Sequence, residues 1–427
     1  MVVDFGADTV KAGYGGEDSP KAVFPSCFGE VEPRAGGGKG ASKSKDGDTE
    51  MAEANGAAAG AGGRALHVGE AGVNYRRDHM EIKPTVADGV VQDWDAFEGI
   101  WSHIFTDKLK IDPEEYPVLL AEAPVNPKEA REKTVEILFE KFNVPAVFLA
   151  KSATLSAFSI GRPSALVVDV GHDGTVTSAV HDGYVLQKSV RRGQVGGRFL
   201  SECMLKSLEA QKVKVTPRYA FEKVEAKGGG WDVKPVKVPH TSDSYRARMV
   251  HDIVADCKEA TCRTSETPFD EAANANIPAV TYELPDGQEV QIGADRFKVP
   301  EGLFRPPVLE SYGVGGGGEL PSITSQILDS LSGVDVDVRK ELLGSIVLTG
   351  GSSMFPNLRE RLERELLEQA PANAKVKVIT SLSSVERRFS TWIGGSILSS
   401  LGSFQQMWMS KQEFEEHGAQ LIQRKAP

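Results

Sequence analysis

The sequence predicts an α/β fold of two related lobes, each a sheet covered by helices. Three observations carry that expectation. Short apolar runs rich in β-branched residues alternate with amphipathic helical patterns along the chain. A strand-then-turn pattern, V-V-D-x-G, occurs at Val2-Val3-Asp4-Phe5-Gly6 and again, 165 residues on, at Val167-Val168-Asp169-Val170-Gly171. A third strand runs into paired glycines at Leu348-Thr349-Gly350-Gly351-Ser352-Ser353.

The predicted strands are Met1-Val2-Val3, 118–121, 165–168 and 345–348, each bounded by turn residues. Between them, residues 128–142 place Val135, Leu138, Phe139 and Phe142 on one helical face. Residues 356–368 open with Pro356 at a first-turn position and repeat Leu358, Leu362 and Leu366 every four residues. The segment 33–65 stands apart, with nine Gly and nine Ala in 33 residues and Met51 as its only large apolar side chain. Such a composition cannot offset its ordering entropy, so disorder is expected there. The glycine clusters 228–230 and 313–318 read as loops, since neither is framed by a strand and a helix.

Composition narrows the function. The 427 residues carry 49 basic and 60 acidic side chains, a net charge of −11, so no basic field is available for a nucleic-acid backbone. Sequence-specific nucleic-acid binding is not expected. No run of eighteen apolar residues exists, and Met1-Val2-Val3-Asp4 has neither a basic n-region nor an h-region, so neither a membrane span nor a secretory signal is expected. The four cysteines are too few for a disulfide framework and read as reduced thiols.

The repeated hairpin tips suggest chemistry. Gly-containing turns aim successive backbone N–H groups inward, which suits phosphates. Asp4 and Asp169, at strand ends, could hold Mg²⁺ through water, and Lys11 could reach a phosphate as a point charge. Taken singly, each copy is better explained as an ordinary strand ending in a turn; two copies with the third strand-Gly-Gly turn at 348–353 bring the two readings level.

At this point the residues carry a resemblance. VVDFGADTVKAGYGGEDSPKAVFPS (2–26) resembles the first phosphate hairpin of actin, and VERRFSTWIGGSILSSLGSFQQMWMSKQEF (385–414) is similar to the actin C-terminal region. IVADCKEATC (253–262), VPEGLF (299–304), DVDVRKEL (335–342) and VLTGGSSMFP (347–356) extend the match, so the chain is identified as a member of the actin superfamily. YRRDHME (75–81), HDGYVLQ (181–187), YELPDG (282–287) and the expanded 33–65 segment resemble the nuclear actin-related proteins, plant and algal members nearest.

The resemblance implies an actin-like fold of four subdomains around a nucleotide cleft. The small lobe would comprise 1–159 and 390–427, and the large lobe 160–389. ATP with Mg²⁺ is the implied ligand, with Asp4, Gly6, Thr9 and Lys11 on the first phosphate loop and Asp169 and Gly171 on the second. Asp4 and Asp169 would serve the metal. Gly197, Lys258, Glu259, Gly350, Gly351, Met354, Phe355 and Arg388 match the ribose and purine side. Departures matter as much. Ala7 and Asp8 replace a Ser and a Gly, and His172 replaces an Asp of the metal shell. An unpaired Asp8 carboxylate about 4 Å from a phosphate would cost roughly 4 kcal/mol, so either Asp8 turns away or the site binds nucleotide weakly. Ser152 and Val176 stand where actins orient the attacking water with a Gln and a His, so little or no hydrolysis is expected and the chain is not read as an enzyme.

The resemblance also implies a groove for a partner helix, corresponding to Phe158, Tyr184, Ile397, Leu398, Leu401 and Met407. Implied partners are nuclear actin, a helix of a chromatin-remodeller ATPase or acetyltransferase scaffold, and histones; the implied location is the nucleus. The alternative is a filament-forming cytoskeletal ATPase. That would need a short apolar-tipped loop at 33–65 and the water-positioning pair.

Overall fold

The computed structural model describes residues 1–31, 57–59, 64–225, 231–314, 320–371 and 374–427. Val2–Phe5 runs antiparallel to Thr9–Gly13 with Asp4 opposite Lys11, and Gly6 N–H closes the turn on Thr9 O at 3.1 Å. Val118–Glu122 lies parallel on the other side of Val2–Phe5, which makes that strand central and leaves Val2 and Val3 fully buried. Ala146–Lys151, a short Met409–Ser410 edge and Ala22–Pro25 complete the sheet.

The second hairpin repeats this plan. Ala165–Val170 pairs antiparallel with Thr175–His181, Gly171 N–H closes the turn on Gly174 O at 2.9 Å, and Ile346–Thr349 lies parallel beyond it. Both sheets thus carry an antiparallel hairpin beside parallel strands. This is the α/β arrangement that the sequence predicts.

Each sheet has its own core. Around the first, the ring of Trp101 stacks on Phe105 at 5.6 Å, and the buried Trp392 donates from Nε1 to Val2 O at 3.0 Å. Around the second lie the helices Gly197–Ala210, Asp243–Thr261 and Leu358–Gln369. A small cluster of Ala153, Ala157, Ala165, Val167, Val180 and Val347 seats the helix Ser152–Phe158 on the second sheet. The helix Ser390–Ser400 packs directly on it, which only glycine allows: a Cβ on Gly394 would lie 1.8 Å from Leu155 O.

Residues 128–142 form the expected helix, α-helical over Lys128–Glu136 and π-helical over Ile137–Lys141, with Val135, Leu138 and Phe139 buried. The other expected helix starts later than its proline suggests. Asn357 takes a left-handed φ of 67°, which turns the chain after Pro356, and the helix begins at Leu358 with Leu362 and Leu366 fully buried.

Most of the 33–65 segment lies outside the described residues, but residues 57–59, 64 and 65 correct the expectation of disorder at those positions. Ala57–Ala59 pairs antiparallel with Ala65–His67, in a four-stranded sheet with Cys27–Val31 and Glu81–Pro84. Alanine has little strand preference of its own; the open edge of Ala65–His67 supplies the partner. Arg64 anchors this end, donating to Glu30 Oε1 at 3.0 Å, Asp93 Oδ2 at 3.1 Å and Asp95 Oδ2 at 2.5 Å. Deleting residues 34–56 is expected to move the thermal midpoint by no more than about 3 °C in a calorimetric scan. Deletion through Ala65 removes Arg64 as well, leaves the buried Glu30 with Lys83 alone, and should cost clearly more. Equal midpoints for the two deletions would show that Arg64 anchors nothing.

The clusters 228–230 and 315–318 lie outside the described residues; Gly313, at φ 67°, ends the 3-10 turn Pro306–Tyr312. No helix among the described residues is long and apolar enough to cross a membrane.

Candidate functional site

Both hairpin turns and the Gly350–Gly351 turn open on one cavity of about 540 Å³ between the sheets. Asp4, Gly6, Thr9 and Lys11 line it from the first hairpin, Asp169 and Gly171 from the second, and Gly197, Lys258, Glu259, Gly350, Gly351 and Arg388 from the far wall. Met354 and Phe355 do not line it: Phe355 is buried in the core of the second sheet, and Met354 ends the turn behind it.

The register of the first hairpin sets Asp4 beside Lys11, and their side chains meet at 3.2 Å, both largely buried. Asp169 projects from the equivalent strand end. Burial, then the neighbouring Asp4 charge, push its carboxyl up to about 6, and Lys11 pulls the other way. Two adjacent carboxylates sharing one ammonium favour an added cation. Among the described residues no group of three or more His, Cys, Asp and Glu is assembled to hold a metal. A Mg²⁺ ion here would rest on Asp4 and Asp169 and draw its other ligands from water and phosphate. The donor set and the room fit a nucleotide with its cation.

On the opposite wall, Lys258 is buried and donates to Gly197 O and Ser201 Oγ, each at 2.9 Å. Desolvation lowers its pKa, and its role is to brace the first turn of Gly197–Ala210. Glu259 and Arg388, mostly exposed at the mouth, pair at 3.4 Å.

Asp8 corrects the sequence reading. Its carboxylate is not unpaired: Arg248 donates to Oδ1 at 3.3 Å, and His172 lies 4.0 Å away. Burial pushes the Asp8 carboxyl up, but His172, Arg248 and His251 together outweigh it and hold the pKa below its ordinary value. The roughly 4 kcal/mol penalty therefore does not apply, because its premise was a lone charge. His172 meets His251 edge-on at 5.3 Å between ring centroids. Burial lowers the pKa of both, that of His251 to about 4, so the His251 ring is neutral at pH 7. Asp173 accepts the backbone N–H of Asp88 at 3.2 Å, and Asp88 is itself paired with Arg192.

Ser152 and Val176 line the cavity, where neither offers the reach of Gln or the ring nitrogen of His. Ser178 Oγ, two residues along the same strand face, is buried without a partner. Arg192, Arg248, His251 and Ser178 are site residues that motif reading missed. For the helix Asp243–Thr261 a signal was present: Arg248, Asp252, Ala255 and Glu259 repeat at helical spacing, and all four line the cavity.

Of the groove residues, Tyr184, Ile397, Leu401 and Met407 are exposed large hydrophobics. Ile397, with Ile160 and Ile393, lines a second cavity of about 550 Å³, rimmed by Glu17, Asp18 and Glu386 with Arg387. Leu398 instead packs against the core of the first sheet, and the Phe158 ring lies under Gly183. The helix Ser152–Phe158 touches both Ser390–Ser400 and Tyr184–Val185, which brings the two ends of the expected groove together.

Comparison with known proteins agrees with this geometry. The family model described as "Actin" matches residues 1–427. The chain is 49% identical to "Actin-related protein 4" of Oryza sativa, in both subspecies indica and japonica, over all of its own length and 98% of theirs. It is 48% identical to "Actin-related protein 4" of Arabidopsis thaliana with the same coverage. A family match over the whole length, on paired hairpin-led sheets facing a common cleft, settles the matter: the chain belongs to the actin family.

Proposed function

We propose that this chain is a non-polymerising, non-enzymatic scaffold subunit of nuclear chromatin-remodelling and histone-acetyltransferase complexes. It binds ATP with Mg²⁺, turns it over little or not at all, and docks a partner helix beside nuclear actin. The observation that carries the docking part is the run of exposed apolar side chains Ile397, Leu401 and Met407 beside a groove with an acidic rim. An amphipathic helix covers such a strip with its apolar face, and basic flanks would complement Glu17, Asp18 and Glu386. The net charge of −11 favours encounter with basic partners, histones included. The full-length likeness to plant proteins named "Actin-related protein 4" supports the class. Ser152 and Val176 support the absence of turnover, since without an oriented water phosphoryl transfer loses its nucleophile.

The test is affinity purification of the full-length chain from nuclei. Ile397→Asp and Leu401→Asp should each abolish co-purification with a remodeller ATPase while the thermal midpoint stays unchanged, because both side chains are already exposed. Leu398→Asp is unsuitable, since Leu398 packs on the core and its loss would unfold rather than undock. If both variants still assemble, the helix docks elsewhere.

A further inference from the structure

We propose that the first two turns of the helix Asp243–Thr261 form a latch that closes the cleft and sets how long it retains a nucleotide. This rests on the nucleotide reading of the cleft and concerns its release. The helix begins at the cap residue Ser242, whose Oγ accepts Tyr245 N–H at 3.2 Å and donates to Met80 O across the cleft. Two residues further, Ser244 Oγ accepts Ile82 N–H at 2.9 Å and donates to Glu81. The buried Tyr245 donates its hydroxyl to Asn74 O at 2.7 Å.

One turn on, Arg248 reaches into the cavity to Asp8 on the phosphate-type turn. Asp252 pairs with the same guanidinium at 3.2 Å and fixes its direction. A single rigid helix end thus grips the opposite wall of the cleft at successive points, from Asn74, Met80 and the strand Glu81–Pro84 to the first hairpin turn, where phosphates would sit. Opening the cleft along this side requires all of these bonds to break together, because one helix carries them. The backbone and hydroxyl bonds are insensitive to salt. The Arg248–Asp8 pair is partly exposed, with side chains 19% and 41% accessible, so salt screens it. That pair is the adjustable part of the latch.

The experiment follows release of etheno-ATP, chased by excess ATP, from the full-length chain. Asp8→Asn and Arg248→Gln should each speed release about fivefold, the upper range for a partly exposed ion pair. The charge-exchanged double variant Asp8→Arg with Arg248→Asp should restore slow release, and raising salt should speed the wild type more than the single variants. Unchanged release in both single variants would overturn the latch while leaving nucleotide binding intact. If the wild type retains no etheno-ATP, the nucleotide reading itself fails. Amide exchange on nucleotide-free protein then still decides the closure: Tyr245→Phe should raise exchange at Ile82, and no change would overturn the latch on its own terms.

Discussion

Replacing Arg361 with methionine is expected to destabilise the chain by about 3–5 kcal/mol, read from urea unfolding by circular dichroism. Arg361 is 1% exposed and Glu301 0%, and the two meet at 3.0 Å. The guanidinium also donates to Ser265 O at 3.0 Å, Thr267 O at 2.7 Å and Glu365 Oε1 at 2.7 Å, and lies over the Phe304 ring at 4.8 Å. Taking the cation away leaves Glu301 buried, with the Phe269 backbone N–H and the half-exposed Arg305 at 3.8 Å as its remaining partners. Burial already pushes the Glu301 carboxyl up and Arg361 pulls it back, so without Arg361 it rises further. A carboxyl whose folded pKa exceeds its unfolded value gains stability as pH falls through the folded pKa. The loss should therefore shrink from pH 7.5 to pH 5. Arg361→Met combined with Glu301→Leu should recover most of the stability, since no lone charge remains. A loss below about 1 kcal/mol, with no dependence on pH, would mean that the pair contributes little.

Arg361 also shows where sequence reading stops. Leu358, Leu362 and Leu366 were legible because they repeat at helical spacing, yet Arg361 shares their buried side of the helix and reads in sequence as an ordinary surface charge. Its burial comes from carbonyls at Ser265 and Thr267, which no local pattern reveals. The cleft divides the same way. Asp4, Gly6, Lys11, Asp169 and Gly171 were legible because hairpin register and turn chemistry are local, and two copies of one pattern reinforce each other. The pairing of Asp8 was not legible because its partner Arg248 is 240 residues away in the chain. The strand at Ala57–Ala59 was hidden for a related reason: its composition argues against a strand, and the edge that pairs with it decides otherwise. Local periodicity gave the elements; charge pairing across the chain decided what the site residues do.

Gly350→Ala should abolish nucleotide binding and also lower the stability of the nucleotide-free chain. Gly350 holds φ 91° and ψ 157°, a region that side-chain-bearing residues occupy only at a cost of about 1–3 kcal/mol. Space forbids the methyl as well. A Cβ there would lie 2.3 Å from Asp169 Oδ1 and 2.5 Å from Val170 O, and the second of these is backbone within the central pair of the second sheet. Relief can come only by displacing Asp169 or by lifting the turn Gly351–Met354 off the second hairpin. Asp169 is one of the two carboxylates facing Lys11, and Gly351 and Ser352 line the cavity wall, so either movement deforms the site. The neighbouring Gly351→Ala separates the two effects. A Cβ at Gly351 meets nothing within 4 Å and no positive φ is required there, so the thermal midpoint of the nucleotide-free protein should not move. Its methyl points into open cleft space, and any loss it causes should appear in binding alone. Calorimetric scans with and without Mg-ATP on both variants provide the measurement. A Gly350→Ala protein that melts and binds like wild type would show that the third turn does not hold Asp169 in place.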